Sequence, residues 1–221
     1  MGINEGLFIT TDTTGNVFVA GNFADGTSED AFVFKYDTSG TRIWHYALTA
    51  EEGEYIKGLK LAPNANVIVV FDFFKEDDKD FKVLALNDEG ERLFEETFEG
   101  RGSDDQQCNS LDIDNNNNIY VTGYCVNNGS KDFVTVKYNN NGDQKWFALF
   151  DEKGEDEAIA VKVMGDYIII AGNVEFTEGQ VVKDIVTIGY SFNGIQIWKH
   201  RYNGPAQSDD AVTGIFKKWQ Q

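Results

Sequence analysis

Basic side chains are scarce in this sequence: nineteen Lys and Arg stand against thirty-seven Asp and Glu, a formal charge of −18. So acidic a surface argues against nucleic acid and anionic membranes as partners, since phosphate-rich surfaces attract basic proteins. It suits a self-repelling, solvated exterior, or a cationic partner. No run of eighteen apolar residues exists, so membrane insertion through a helix is not expected. The opening Met1-Gly-Ile-Asn-Glu-Gly6 lacks the basic region and apolar stretch of a signal peptide, and Gly6 stands where N-myristoylation needs Ser or Thr. Only two histidines occur, His45 and His200, both near the repeated aromatic described below but out of phase with each other, which disfavours a His-based metal site or triad. None of Gly-x-Ser-x-Gly, Gly-x-x-x-x-Gly-Lys or Gly-x-Gly-x-x-Gly appears. The expectation is therefore a protein that is not an enzyme and has no catalytic residues or bound organic cofactor.

What is abundant is aromatic: seventeen Phe, nine Tyr and four Trp against two Pro and two Met. Aromatic and β-branched residues favour packed, pleated strands. They recur in phase. Asp30-Ala-Phe-Val-Phe-Lys-Tyr-Asp37 aligns with segments opening at Asp80, Asp132 and Asp184, at offsets of 50, 52 and 52. Ten residues after each Asp comes a glycine (Gly40, Gly90, Gly142, Gly194), and four further on an aromatic (Trp44, Phe94, Trp146, Trp198). Upstream, Gly21, Phe71, Gly123 and Gly172 close another apolar run.

Each copy predicts four strands. Strand A covers 8–11, 58–61, 110–113 and 160–163. Strand B covers 17–21, 67–71, 119–123 and 168–172. Strand C begins at the repeated Asp, and strand D carries the repeated aromatic. The A–B and C–D links are rich in Gly, Asn and Asp, which tolerate positive φ in tight hairpins. Strand B is apolar at nearly every position, so both of its faces need cover. Radial stacking of such sheets is the propeller solution; a sandwich or a β-solenoid fits the period less well. The fold class expected is all-β: β-propeller-type blades in four tandem four-stranded antiparallel repeats of about 50 residues. The copies run 5–53, 54–104, 105–155 and 156–207 within one domain, 1–221. Residues 208–217 form one extra C-terminal strand, because Asp209-Asp210-Ala-Val-Thr-Gly-Ile-Phe216 repeats strand A of the fourth copy. Its surplus fits a fragment of a longer propeller, a four-blade ring with a spare strand, or an assembly strand (Ala211, Val212, Ile215, Phe216) that pairs with another subunit.

The third copy reads Asp114-x-x-x-Asn-Ile-Tyr-Val-Thr-Gly123, then Asp132-Phe-Val-Thr-Val-Lys-Tyr138, then Gly142-x-x-x-Trp146. This resembles the SBBP-type β-propeller repeat, and the resemblance covers essentially the whole chain. Copy two departs from it at Phe71 and Phe94, and copy four lacks the loop Asn. The family implies a scaffold without an inherited active site. It also implies an extracellular or cell-surface setting, its leader removed, with a cytoplasmic one as the alternative.

Several constellations bear on chemistry. Asp112, Asp114, Asn116 and Asn118 alternate as oxygen ligands do around Ca²⁺, without the Gly and Glu of an EF-hand loop, so a polar hairpin turn is the competing reading. Cys108 and Cys125 fall near each other if strands A and B of copy three pair in plain register, which makes them a disulfide candidate; two free thiols are the alternative. The repeated Asp column suits a structural hydrogen bond, since a fold needs a residue in every copy and a site needs it once. The Trp column suits core packing first and sugar stacking second. Acid clusters at 51–54, 76–78, 104–105 and 155–157 suit solvated loops. Asn128-Gly-Ser130 is a glycosylation sequon. The function expected is a non-enzymatic interaction or assembly scaffold, a structural protein whose partners are proteins or copies of itself. A carbohydrate- or Ca²⁺-dependent lectin-like propeller is the alternative, and a carboxylate-based hydrolase or lyase comes third.

Overall fold

The computed structural model describes residues 4–24, 29–48, 53–75, 78–98, 100, 105–176, 182–205 and 208–216. Among them are sixteen strands in four antiparallel sheets, and no helix. The first sheet is β1 (Asn4–Thr11), β2 (Val17–Ala24), β3 (Glu29–Tyr36) and β4 (Arg42–Leu48). The second is β5 (Glu54–Leu61), β6 (Val67–Lys75), β7 (Asp78–Leu86) and β8 (Arg92–Phe98). The third is β9 (Gln106–Ile113), β10 (Ile119–Asn127), β11 (Ser130–Tyr138) and β12 (Gln144–Phe150). The fourth is β13 (Glu157–Met164), β14 (Tyr167–Phe176), β15 (Val182–Ser191) and β16 (Gln196–Tyr202). Strands lie side by side in chain order within every sheet. That is the four-strand repeat the sequence predicts.

Three of the A strands, β1, β5 and β13, are longer than expected because each carries a bulge. The ladder slips between Gly6 and Phe8, between Ile56 and Gly58, and between Ala158 and Ala160. A bulge inverts the inward–outward alternation, so a period-2 reading finds only the half beyond it. A second slip recurs in every C–D pair, and it turns Ile43, Leu93 and Ile197 outward. The Asn128-Gly129 pair is the β10–β11 hairpin turn, with φ of 54° and 87°, as a two-residue primed turn requires.

Packing divides the chain into two compact units. One holds residues 1–108, 114–117 and 140–142; the other holds 109–113, 118–139 and 143–221. In the first unit, Phe18, Ala20 and Val33 of the first sheet pack with Leu59, Val69, Phe71 and Leu84 of the second. In the second unit, Tyr120 and Phe133 pack with Val161, Ile170, Val186 and Ile188.

One contact recurs in both units. The C–D turn glycines Gly40, Gly90, Gly142 and Gly194 have φ of 81°, 83°, 88° and 79°, a conformation that a β-carbon strains. Three of them also carry the aromatic of the preceding copy. A β-carbon on Gly90 would stand 2.7 Å from the Trp44 ring, one on Gly142 2.8 Å from Phe94, and one on Gly194 2.7 Å from Trp146. The indole N–H of Trp44 donates to the Asp88 carbonyl at 2.8 Å, and that of Trp146 to the Phe192 carbonyl at 3.0 Å. The cross-strand neighbours Lys35 and Lys137 donate to the same two carbonyls, at 3.1 and 3.0 Å. The Trp column is thus an inter-copy clasp, half-buried rather than central.

Two substitutions test the clasp. Trp146→Ala should cost about 3 kcal/mol, the low end for a truncated aromatic because this one is half-buried. Gly194→Ala should cost more than about 1 kcal/mol. The double variant should lose clearly less than the sum in urea unfolding, since removing the ring makes room for the new methyl. Strict additivity would mean that ring and glycine do not share a contact.

Candidate functional site

The Asp112 carboxylate is engaged in the second unit, where Lys162 Nζ lies at 2.9 Å and the Val163 N–H donates at 2.8 Å. Asp114 turns back on its own loop, accepting from the Asn116 N–H at 2.8 Å. These contacts build a hairpin turn and a strand-to-strand ion pair from two members of the candidate Ca²⁺ set Asp112, Asp114, Asn116 and Asn118.

The disulfide is corrected: Cys108 and Cys125 are buried thiols outside any disulfide. The Cys108 Sγ lies 3.4 Å from Asp72 Oδ1, and its backbone N–H donates to the same oxygen at 2.9 Å. Burial, then the Asp72 carboxylate, push this thiol well up, so it stays protonated. His45 and His200 sit on β4 and β16, opposite Phe34 and Thr187 and in different units.

The repeated Asp column is buried throughout: Asp30, Asp80, Asp132 and Asp184. Asp184 is fully buried and ion-paired with Arg201, whose guanidinium reaches it from β16. Asp132 has no such partner. Its carboxylate accepts from Asn127 Nδ2 at 2.8 Å, and its Oδ1 has no hydrogen-bond partner although the residue is 1% exposed.

Beside Asp132 stand Asp151 and Asp156. Among the described residues, these three carboxylates are close enough to share an ion, with one oxygen of each within 4.8 Å of the others. The β12–β13 link sets them there. The Asp156 N–H donates to the Lys131 carbonyl at 2.8 Å, and its carboxylate accepts from the backbone N–H groups of Glu152 (2.5 Å) and Glu175 (3.2 Å). Burial pushes Asp156 up to about 6 against those two N–H bonds, and the charges of Asp151 and Asp132 add to the rise. Burial also raises Asp132, with Asp151 and Glu155 contributing. Of the four acid clusters expected in loops, residues 51, 52, 76, 77 and 104 lie outside the described residues. Glu54 and Asp156 are buried rather than solvated.

The C-terminal segment departs from expectation. Residues 208–216 form no strand, because strand A ladders onto its own strand B and no fifth strand B is present among the described residues. The segment is held instead at one end. The Asp210 N–H donates to the Lys183 carbonyl at 2.7 Å, the Lys183 N–H to Asp209 Oδ1 at 3.0 Å, and the Val212 N–H to Asn173 Oδ1 at 2.9 Å. The last of these repeats within the first unit: the Ile56 N–H donates to Asn22 Oδ1 at 3.2 Å and the Cys108 N–H to Asp72 Oδ1. Asp210 therefore occupies the place of Asp156, one residue off the sequence alignment.

Two sheet faces are open. Ile9 is 72% exposed, whereas its equivalents Leu59, Leu111 and Val161 are buried; nothing lies within 4 Å of a β-carbon on Gly40. On β16, Tyr202 is 56% exposed, whereas Leu48 and Phe98 at the same register are buried.

Residues 97–124 match the SBBP beta-propeller repeat family, a span from the end of β8 into β10. No curated protein matches the chain.

Mass measurement after alkylation in denaturant, without reductant, should show both cysteines modified. Arg201→Leu should cost about 3 kcal/mol in urea unfolding by stranding the buried Asp184 charge, and adding Asp184→Asn should restore most of the loss. No recovery in the double variant would mean that Arg201 stabilises by packing alone.

Proposed function

We propose that the chain is a non-enzymatic interaction scaffold of propeller blades that assembles with copies of itself, at the cell surface or outside the cell. The observation that carries this reading is the open face of the first blade. Ile9 and Gly40 stand bare where the equivalent positions of later copies are covered. The occupant that fits is another blade of the same repeat. The fourth blade of a second copy presents the complementary half, Trp198 and the exposed Tyr202. The contact is heterologous, so it builds a ring or a filament according to its rotation. The setting is proposed from the repeat family. Two buried thiols are compatible with it, since neither is exposed to oxidant.

Assembly through blade faces differs from assembly through the C-terminal strand. Val212 already takes the Asn173 acceptor, the position that Ile56 takes on Asn22. Residues 208–216 thus cover part of the face that an incoming blade would use.

Sedimentation over a wide concentration range should show reversible association. It should strengthen with added NaCl, because each copy carries −18 and salt screens the repulsion. Ile9→Asp should abolish association and leave the melting temperature unchanged, since the side chain is exposed. Deleting residues 209–221 should strengthen it. Loss of assembly on that deletion would favour strand exchange over face docking. A protein that stays monomeric at every concentration would end the assembly reading.

A further inference from the structure

We propose that Asp132, Asp151 and Asp156 hold one Ca²⁺ ion, at the end of the third blade and away from the A–B loop that the sequence singles out. The first support is geometric. One oxygen from each carboxylate lies within 4.8 Å of the others. Oxygens around a single Ca²⁺, each about 2.3–2.6 Å from it, span that same range. The second is the Asp132 Oδ1 atom, buried in a residue only 1% exposed and without a hydrogen-bond partner. A buried carboxylate oxygen left without a donor or a cation is costly.

The third support is an internal control. Asp184 is the copy-four equivalent of Asp132, and Asp210 that of Asp156: the Lys183 carbonyl accepts from Asp210 as the Lys131 carbonyl does from Asp156. There Arg201, which pairs with Val186 across the β15–β16 ladder, meets one oxygen, Asp184 Oδ2, while Asp184 Oδ1 lacks a hydrogen-bond partner as Asp132 Oδ1 does; the difference between the copies is the cation on Oδ2. In copy three the same ladder position, opposite Val134, is Leu149. The guanidinium is particular to copy four, since copies one and two have Ala47 and Thr97 there, and in copy three a third carboxylate, Asp151, stands beside the pair. The nearest basic neighbour along the chain, Lys131, lies over the Tyr124 ring, 4.1 Å from its centroid. The fold that answers Asp184 with a built-in cation leaves Asp132 to a cation from solution. Hard carboxylate oxygens from three side chains suit Ca²⁺ over Mg²⁺, which demands a near-octahedral cage and keeps its waters.

The test uses the full chain, stripped with EDTA and titrated calorimetrically with CaCl₂ and, separately, MgCl₂. One saturable Ca²⁺ site per chain is expected, in the range of about 10⁻⁴–10⁻³ M typical of extracellular modules, with a melting temperature that rises on loading. Asp151→Asn should weaken binding by about ten-fold or more without lowering the melting temperature in EDTA, because Asp151 is exposed and its charge repels Asp132 and Asp156. Leu149→Arg should abolish binding and raise the melting temperature in EDTA, rebuilding in copy three the neutralisation of copy four. No saturable site below about 10 mM Ca²⁺ would overturn the proposal. So would binding untouched by both substitutions, which would put the ion elsewhere. Tighter binding of Mg²⁺ than of Ca²⁺ would overturn the choice of ion.

Discussion

The contact on which the architecture rests is an aromatic ring laid on a bare turn. Trp44 covers Gly90 and Trp146 covers Gly194, each so closely that a single methyl would collide. The turn glycine therefore answers two demands at once, positive φ for the hairpin and no side chain beneath the ring. The indole N–H and a neighbouring lysine then bind the carbonyl two residues before that glycine. The clasp has a direction: each copy offers a ring forward and a turn backward. A sheet whose central strands are apolar on both faces can be stacked by such a contact without an exposed core.

Positive charge is a scarce resource in a chain of this composition, and the structure spends it inside. Lys35 is almost fully buried and reaches Asp88 at 2.5 Å. Lys57 and Lys79 both approach the buried Asp72, at 3.3 and 3.4 Å. Even so, burial keeps the Asp72 carboxyl above its ordinary value. The acidic surface is thus partly the consequence of where the lysines are used.

The repeat was fully legible, because four columns in phase leave a signature that no local accident imitates. Which columns meet was not. Gly40 and Trp44 sit four apart and read as one hairpin, while the turn that Trp44 covers is Gly90, in the next copy. The front halves of β1, β5 and β13 were hidden by the bulges. The register drawn for Cys108 considered one copy alone, whereas the thiol meets Asp72 of the preceding copy. The alternating acids at Asp112 read in sequence as one ligand set, while two of them serve a hairpin turn and an ion pair, since alternate residues of a strand share a face only while the strand lasts. The Asp132–Asp151–Asp156 group was missed because its members lie on a strand, β11, and on the later β12–β13 link. The readable signal was one basic residue in a column that otherwise reads Ala47, Thr97 and Leu149: Arg201 stands beside Asp184 alone.

The side-chain hook on strand B also orders events in time. Asn22, Asp72 and Asn173 each catch a backbone N–H of the segment that follows their own sheet, at Ile56, Cys108 and Val212. A chain made from its N-terminus completes one sheet before the next begins to emerge, and synthesis at about 5–20 residues per second gives each sheet of about 50 residues seconds to form. The finished sheet then holds the first residues of its successor while the remaining three strands are still being made. Growth is templated from behind, and the nascent strand is anchored while its own partners are still missing.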